Sequence, residues 1–495
     1  MGLTLLALAV LALRHYPGGG LVFAAFLVIN LGMLALAAPK PRLYGYTFLA
    51  TFFFLGFCAK TVANFALGIP MVEPTGHFDG SGRAWDASLE PAIAGAAAIA
   101  LIRFVHLMIF RNRRGVASLG HPPPAMYVRW RLPVVIGSVA AILVLNAINL
   151  RLAFYQIGVS PRVILPLHLS VPVEWLFVSG LSLWAATLIG WEAGMAGERL
   201  GPALLLAMTE ALASVSTLSR AAYLFRALPY VLVVIENPRE FLSRLSKKWL
   251  VFFVAALPAG LLISVAAVSL LRLAIYPLIT QTGQLAPSGR PISTASPSVA
   301  PPQPVVIPTA KPILPPVGED RLKFVGREVG LSVVGRWIGI EGTMAVSSYP
   351  GRNMNLLFRA LRENPAAGES AIYQQISGSS YQTTSQYVFL TTPGAIAVLY
   401  YSGSLLVVFV GMGLLTALLI AFELVASNRL ANGLTTSIMA IALANAIAQL
   451  NFPYLLAVLF LEQAVAVLLL SFIDGGLFKP IANANVNMDA PAPEI

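Results

Sequence analysis

Long apolar stretches recur along the chain, separated by short polar breaks. Twelve can be placed, at 2–14, 21–38, 45–68, 91–110, 132–150, 171–190, 202–218, 221–236, 249–276, 394–424, 432–448 and 452–473. Several approach the roughly 20 residues that cross a bilayer as a helix. They are continuous apolar blocks, as from Val251 to Leu271, and lack the alternating polarity of a membrane β-barrel strand. The pattern predicts an all-α integral membrane protein with about 12 transmembrane helices and one large extracytoplasmic loop. The first stretch has neither a basic n-region nor a small-residue cleavage site, so a retained short helix is expected there.

Composition agrees with that pattern. Of the 495 residues, 57% are hydrophobic and 11% charged, with mean hydropathy +0.78. A soluble domain carries about 25% charged residues. The net charge of +11 is spread over short segments beside apolar runs, which fits the positive-inside rule better than nucleic-acid binding. Three breaks are plainly basic: Lys40 with Arg42; Arg111, Arg113, Arg114, Arg129 and Arg131; and Arg239, Arg244, Lys247 and Lys248. Placing all three in the cytoplasm requires the 202–236 region to divide into two crossings, with a turn near Arg220. Both termini are then cytoplasmic and the protein is multi-pass in a bacterial plasma (inner) membrane. The loop from Glu73 to Glu90, with four acids and one arginine, falls outside.

Four regions follow: an N-terminal bundle of about nine helices (1–276), an extracytoplasmic loop (277–393), about three C-terminal helices (394–473) and a disordered cytoplasmic tail (474–495). Within the loop, Pro287 to Pro316 holds ten prolines and reads as a polyproline-like tether within 277–318. The remainder, 319–393, reads as structured and able to fold against the membrane face. Its residues from Glu319 to Tyr387 include six arginines and six acids, and Arg359, Arg362 and Glu363 follow Asn355 at helical spacing.

Motifs for nucleotides, dinucleotides and zinc are missing, so no cofactor and no metal are expected. The lone Cys58 excludes an intramolecular disulfide. What remains is polar residues among apolar neighbours, which are expensive in a membrane and functional by default. One cluster runs Thr209, Glu210, Ser214, Ser216, Thr217, Ser219, Arg220, Tyr223 and Arg226. Arg220 and Arg226 suit bidentate hydrogen bonding to a phosphate; equally, they suit snorkelling or pairing with Glu210. A second cluster holds Arg327, Arg336, Trp337 and Glu341 among closely spaced glycines, a composition that lets backbone approach a ligand. Trp337 suits sugar stacking or interfacial anchoring. Glu341 suits a general base or a salt bridge to Arg336. A third, Glu73, His77, Asp79, Arg83, Trp85 and Asp86, suits metal or sugar binding, or a turn followed by a helix N-cap. Lys60, Arg103, His106, Arg151, His168 and Glu174 read mainly as bundle pairs or anchors.

Three segments, Val72 to Ser81, Ser216 to Arg220 with Tyr223 to Phe225, and Arg336 to Gly342 with Ala345 and Val346, resemble a group of bacterial membrane proteins encoded with surface-polysaccharide genes. These are the oligosaccharide repeat-unit polymerases of the O-antigen, Wzy-like type. The resemblance implies polymerisation or ligation of undecaprenyl-pyrophosphate-linked oligosaccharides at the outer face. It would make the lipid-linked oligosaccharide, membrane lipid and a chain-length regulator or other export proteins the partners, with no nucleic acid. Arg220 and Arg336 would then hold the pyrophosphate and Glu341 would be the candidate base. The chain departs from the family in having only a tight turn at Arg220, where a sizeable loop is usual. A flippase for the lipid-linked unit, or a scaffold of an export system, are the alternatives.

Overall fold

The computed structural model describes residues 2–110, 120, 122–159, 161–163, 169–195, 200–236, 238–275, 337–379 and 390–473. The expected tether and tail, and Arg327, Arg336 and His168 with them, lie outside the described residues. Each of the twelve apolar stretches forms helix. In chain order the helices, with the short polar-segment helix α9 added to those of the apolar stretches, are α1 (Gly2–His15), α2 (Gly20–Ala35), α3 (Tyr44–Leu67), α4 (Gly82–Ile109), α5 (Ala125–Leu152), α6 (Ser170–Gly194), α7 (Gly201–Ala213), α8 (Ala222–Glu236), α9 (Pro238–Ser243) and α10 (Lys247–Ile275). After the long gap come α11 (Ile340–Ser348), α12 (Met354–Leu361), α13 (Ile372–Ser377), α14 (Ala395–Tyr400), α15 (Leu405–Leu430), α16 (Gly433–Ala448) and α17 (Pro453–Ile473).

Among the described residues there is no strand, only an isolated bridge between Gln156 and Val159. Seven helices are long and apolar enough to cross a membrane: α3, α4, α5, α6, α10, α15 and α17. The twelve sequence stretches outnumber them for local reasons. The 202–236 region divides as predicted, but into helices of 13 and 15 residues, with the short 3-10 turn Ser214–Thr217 and a left-handed Leu218 (φ 55°) between them. The tenth stretch breaks at Tyr401 to Ser404, where Gly403 has φ 73° and the Ser404 hydroxyl caps α15.

The shortness of α16 is explained by its surroundings. Thirteen of its sixteen residues are buried, and it touches α3, α6, α8, α15 and α17. On one side of it a core is built from α1 to α4 with α11 to α15; on the other, from α6 to α10 with α15 to α17. A helix enclosed by protein need not match the bilayer thickness, since its neighbours cover its ends.

Polar groups tie the helix ends. At one end of the bundle, Glu423 of α15 accepts from the backbone N–H groups of Tyr44 (2.6 Å) and Gly45 (2.9 Å), the unpaired first turn of α3. Beside it the enclosed Arg103 of α4 donates to the carbonyls of Leu36, Pro39 and Pro41 and meets His106 Nδ1 at 2.9 Å. At the other end, Asp86 of α4 accepts from Tyr16 Oη (2.8 Å) and Gly19 N, holding the α1–α2 turn.

The part of the expected loop that is described is enclosed at α11 and exposed at α12. Its α11 is buried over most of its length and lies against α4, inside the first core. The close contact is between Gly56, mid-way along α3, and Ile338–Gly339: a Cβ on Gly56 would stand 2.2 Å from the Ile338 carbonyl oxygen, and one on Gly339 would stand 2.5 Å from that of Gly56. Around Gly56, residues Phe54–Ala59 form a wider π-helical turn, the kind of insertion that marks a distortion in a long helix. Gly56→Val should therefore destabilise the protein by about 1–3 kcal/mol through overpacking, read as a lower unfolding temperature in detergent; an unchanged temperature would remove this contact from the fold's determinants.

Candidate functional site

Three groups of polar residues are brought together, and their chemistry differs. The first is at the start of α11. Lys60 of α3, just past the π turn, forms an ion pair with Glu341 (2.5 Å) and donates to the Trp337 carbonyl (3.0 Å); both charged side chains are 3% exposed. The Trp337 ring stands edge-on to Phe52, 5.4 Å between centroids. Glu341 thus sits in the first turn of its helix, where the N–H dipoles favour a negative charge, sealed from solvent with a cation against it. The pairing is with Lys60, a residue 281 positions away in sequence, which spacing alone could not reveal.

The second group surrounds Arg226 of α8. It is paired with Glu210 of α7, whose carboxylate also accepts from Ser182 Oγ (2.9 Å), and it donates to the Phe177 carbonyl. All are buried, so this is the bundle-pair reading of Arg226. Tyr223 is buried as well, donating to the Leu257 carbonyl (3.1 Å) with Gly260 beneath its ring. Arg220 lies in the α7–α8 turn and is partly exposed. The nearby cavity of about 210 Å³ is lined by apolar residues such as Leu204, Met208 and Phe253 with Tyr223 and Tyr230, and has no cationic side chain in its lining.

The third group is open. A cleft of about 550 Å³ is lined by Asn355, Phe358, Arg359, Arg362, Glu363, Ser370 and Ile372. It forms because Asn353 caps α12 by accepting from Leu356 N (2.9 Å), which fixes Leu356, Leu357 and Ala360 inward and leaves Arg359 and Arg362 on the outer side. Met354, Phe358 and Leu361 remain 42%, 51% and 41% exposed, an apolar face suited to lie against a membrane surface. Glu363 Oε1 accepts from Ile372 N at 2.7 Å. Burial raises the Glu363 carboxyl above the ordinary carboxylate range, opposed by that hydrogen bond and by Arg359. Among the described residues, neither guanidinium makes an ion pair within hydrogen-bonding distance.

The cleft is attached to the end of the bundle that carries Asp79 and Asp86. Gly76 N donates to the Ser377 carbonyl (2.9 Å) at the end of α13, and the Gln374 amide is hydrogen-bonded to Thr391 just before α14. Here the Phe78–Asp86 segment is a turn and cap: Asp79 accepts from Ser81 N (2.9 Å) and Ser81 caps α4. The hydrogen bonds from Ser81 lower the Asp79 carboxyl. Among the described residues no group of three or more His, Cys, Asp or Glu could hold a metal.

The sequence marked Arg359, Arg362 and Glu363 only as the charged face of a short helix. Their spacing signalled an amphipathic helix, and nothing in it showed that the segment 363–372 folds back to make a wall. Comparison with known protein families, characterised proteins and solved structures finds no match.

Breaking the Lys60–Glu341 pair on one side should leave a charge stranded in the core. Lys60→Met alone is expected to cost about 3–5 kcal/mol of stability, with most of it recovered in Lys60→Met combined with Glu341→Gln. Thermal unfolding of the three purified proteins measures this; equal loss in the single and double variants would deny the coupling.

Proposed function

We propose that the protein joins oligosaccharide units carried on a polyprenyl pyrophosphate, at the outer face of a bacterial plasma membrane, as a surface-polysaccharide polymerase or ligase. The observation that carries this reading is the open cleft, in which two arginines, two small polar side chains and a carboxylate line one volume beside the exposed apolar residues Met354, Phe358 and Leu361. Its size is within the range of small-ligand sites. The resemblance of the three sequence segments to repeat-unit polymerases supports the same reaction.

In this mechanism Arg359 and Arg362 hold the pyrophosphate of the donor by charge-assisted hydrogen bonds. Glu363, with one oxygen committed to Ile372 N, takes the proton of an acceptor-sugar hydroxyl through the other. The hydroxyl oxygen bonds to the anomeric carbon as the bond from that carbon to the pyrophosphate breaks, and the electron pair leaves with the lipid pyrophosphate. The arginines stabilise the charge developing there. Glu341, enclosed with Lys60, then serves the bundle, while Arg220 is a further candidate for the anion by the resemblance.

A carrier for the same lipid-linked unit is the second reading, favoured by one observation: the buried Lys60–Glu341 pair beside the π turn of α3 and the inserted α11, polar groups enclosed within the bundle as a transport path would need. The two readings leave the precursor on different leaflets.

In a strain lacking the gene and complemented with variants, Arg359→Ala or Arg362→Ala should reduce long-chain polysaccharide at least about tenfold, with protein level unchanged and lipid-linked units collecting on the outer leaflet. A normal ladder from the double variant would sink the cleft as the site, and precursor held on the inner leaflet would transfer the weight to transport. In purified protein, the transfer rate should rise with pH through a carboxyl pKa above the ordinary value, because the base works only when ionised. Glu363→Gln should flatten that limb and slow transfer by about 10²–10⁴-fold.

A further inference from the structure

The apolar cavity of about 210 Å³ between α7, α8, α9 and α10 takes no part in the cleft. Its wall on α10 is Leu250, Phe253, Val254 and Leu257, the spacing of one helix face, and α8 adds Tyr230, Val234 and Ile235. Three of these lining residues, Ile235 on α8 with Leu250 and Val254 on α10, are also exposed. The cavity therefore opens sideways between α8 and α10, and α10 is one of the helices long and apolar enough to cross a membrane. Apolar cavities of roughly 150 Å³ in soluble proteins stay dry and take apolar guests. In a bilayer the guest at such an opening is an acyl chain.

Cations flank the same opening. Lys247 lies three residues before Leu250, on the face of α10 that lines the cavity, with Lys248 next to it. Arg239 lies two residues before Phe241, which lines the cavity from α9. All three cations are exposed, and among the described residues none of them makes an ion pair or a hydrogen bond. Arg42 donates to the carbonyl of the lining residue Ile235 (3.3 Å) and pairs with Glu236 (3.3 Å), so that carboxylate is neutralised beside the opening. Lys247 and Lys248 also begin α10, and cations in a first turn oppose the helix dipole. An anion held between them and the unpaired N–H groups of that turn offsets this.

We propose that this cavity binds an anionic phospholipid, with one acyl chain entering between α8 and α10 and the phosphate held at Lys247 and Lys248, Arg239 beside them. Tyr230 favours a phospholipid over a bare hydrocarbon chain. Its side chain lines the cavity, and its hydroxyl is buried with no hydrogen-bond partner. Such a donor calls for an acceptor, and a phospholipid brings ester carbonyls where a polyprenyl chain brings none. The bound lipid fills the gap along α10, which meets the bundle chiefly at α7, α8 and the turn between them. This site is separate from the cleft and from the glycan chemistry there.

Native mass spectrometry tests it, on the purified full chain released from nanodiscs of phosphatidylcholine with phosphatidylglycerol as the minor lipid. The wild type should keep one phosphatidylglycerol per chain after excess lipid is stripped. Lys247→Gln combined with Lys248→Gln should weaken that binding about tenfold or more. Ala227→Leu, which adds bulk to the cavity lining, should weaken it as far, whereas Arg429→Gln, an exposed charge on α15 outside the lining, should leave it unchanged. Wild-type retention in either of the first two variants would overturn the proposal, as would a loss shared by Arg429→Gln, which is charge attraction without a site. Phosphatidylcholine kept in place of phosphatidylglycerol, or phosphatidylglycerol displaced by an equal amount of undecaprenyl phosphate, would also overturn it, by assigning the cavity to a neutral lipid or to a polyprenyl carrier. Each variant's size-exclusion profile is compared with wild type; if Ala227→Leu does not fold, the exposed lysine pair decides.

Discussion

The crossing of Ile338–Gly339 over Gly56 is the contact from which much of the arrangement follows. It is a backbone-to-backbone approach, possible because neither glycine carries a side chain. Backbone that enters the centre of a membrane bundle brings carbonyl and N–H groups that water cannot reach, so protein must satisfy them. Lys60 does this for the Trp337 carbonyl and, with the same ammonium, neutralises Glu341 at the first turn of α11. Once α11 is held there, Gly342 meets the Pro393 carbonyl and Gly394 N donates to the Leu450 carbonyl, which sets the start of α14 against the end of α16. The cleft at α12 and α13 then hangs between two inserted segments whose positions are set by that crossing.

The same constraint recurs wherever helices end inside the fold. Glu423 caps α3 from another helix, Arg103 collects three carbonyls from the α2–α3 turn, and Asn149 joins the end of α5 to Tyr155 and Ser216. In water each of these groups could be solvated singly. In an apolar surround each needs a named partner, and the partners are drawn from distant parts of the chain. The polar residues inside this bundle therefore divide between ties of this kind, such as Arg226 with Glu210, and groups without a tie, such as Glu174 and Glu462. The division depends on partners, and sequence neighbours do not supply them.

Much of the helical content was legible because apolar runs of the right length have few alternatives. The turn at Ser216 to Arg220 was legible from charge arithmetic, since the basic loops had to share a side. The turn and cap at Asp79 and Ser81 were legible from their residue types. The candidate site was not. Glu341 looked available among glycines, yet the glycines serve close packing and Lys60 covers the carboxylate. The cleft at Arg359 and Arg362 depends on a fold-back at Gly368 (φ 53°) that brings Ser370 and Ile372 opposite α12.

By itself the sequence determined the class of environment: runs this apolar must form helices, because only helices or closed barrels satisfy backbone groups in hydrocarbon, and these runs do not alternate as barrel strands do. It also determined which short segments are polar. Only the tertiary structure decided which of those polar residues are consumed in holding helices together and which are left facing a cleft. Pairing across hundreds of residues is a property of packing, and a one-dimensional pattern carries the cost of burying a charge without naming the partner that offsets it.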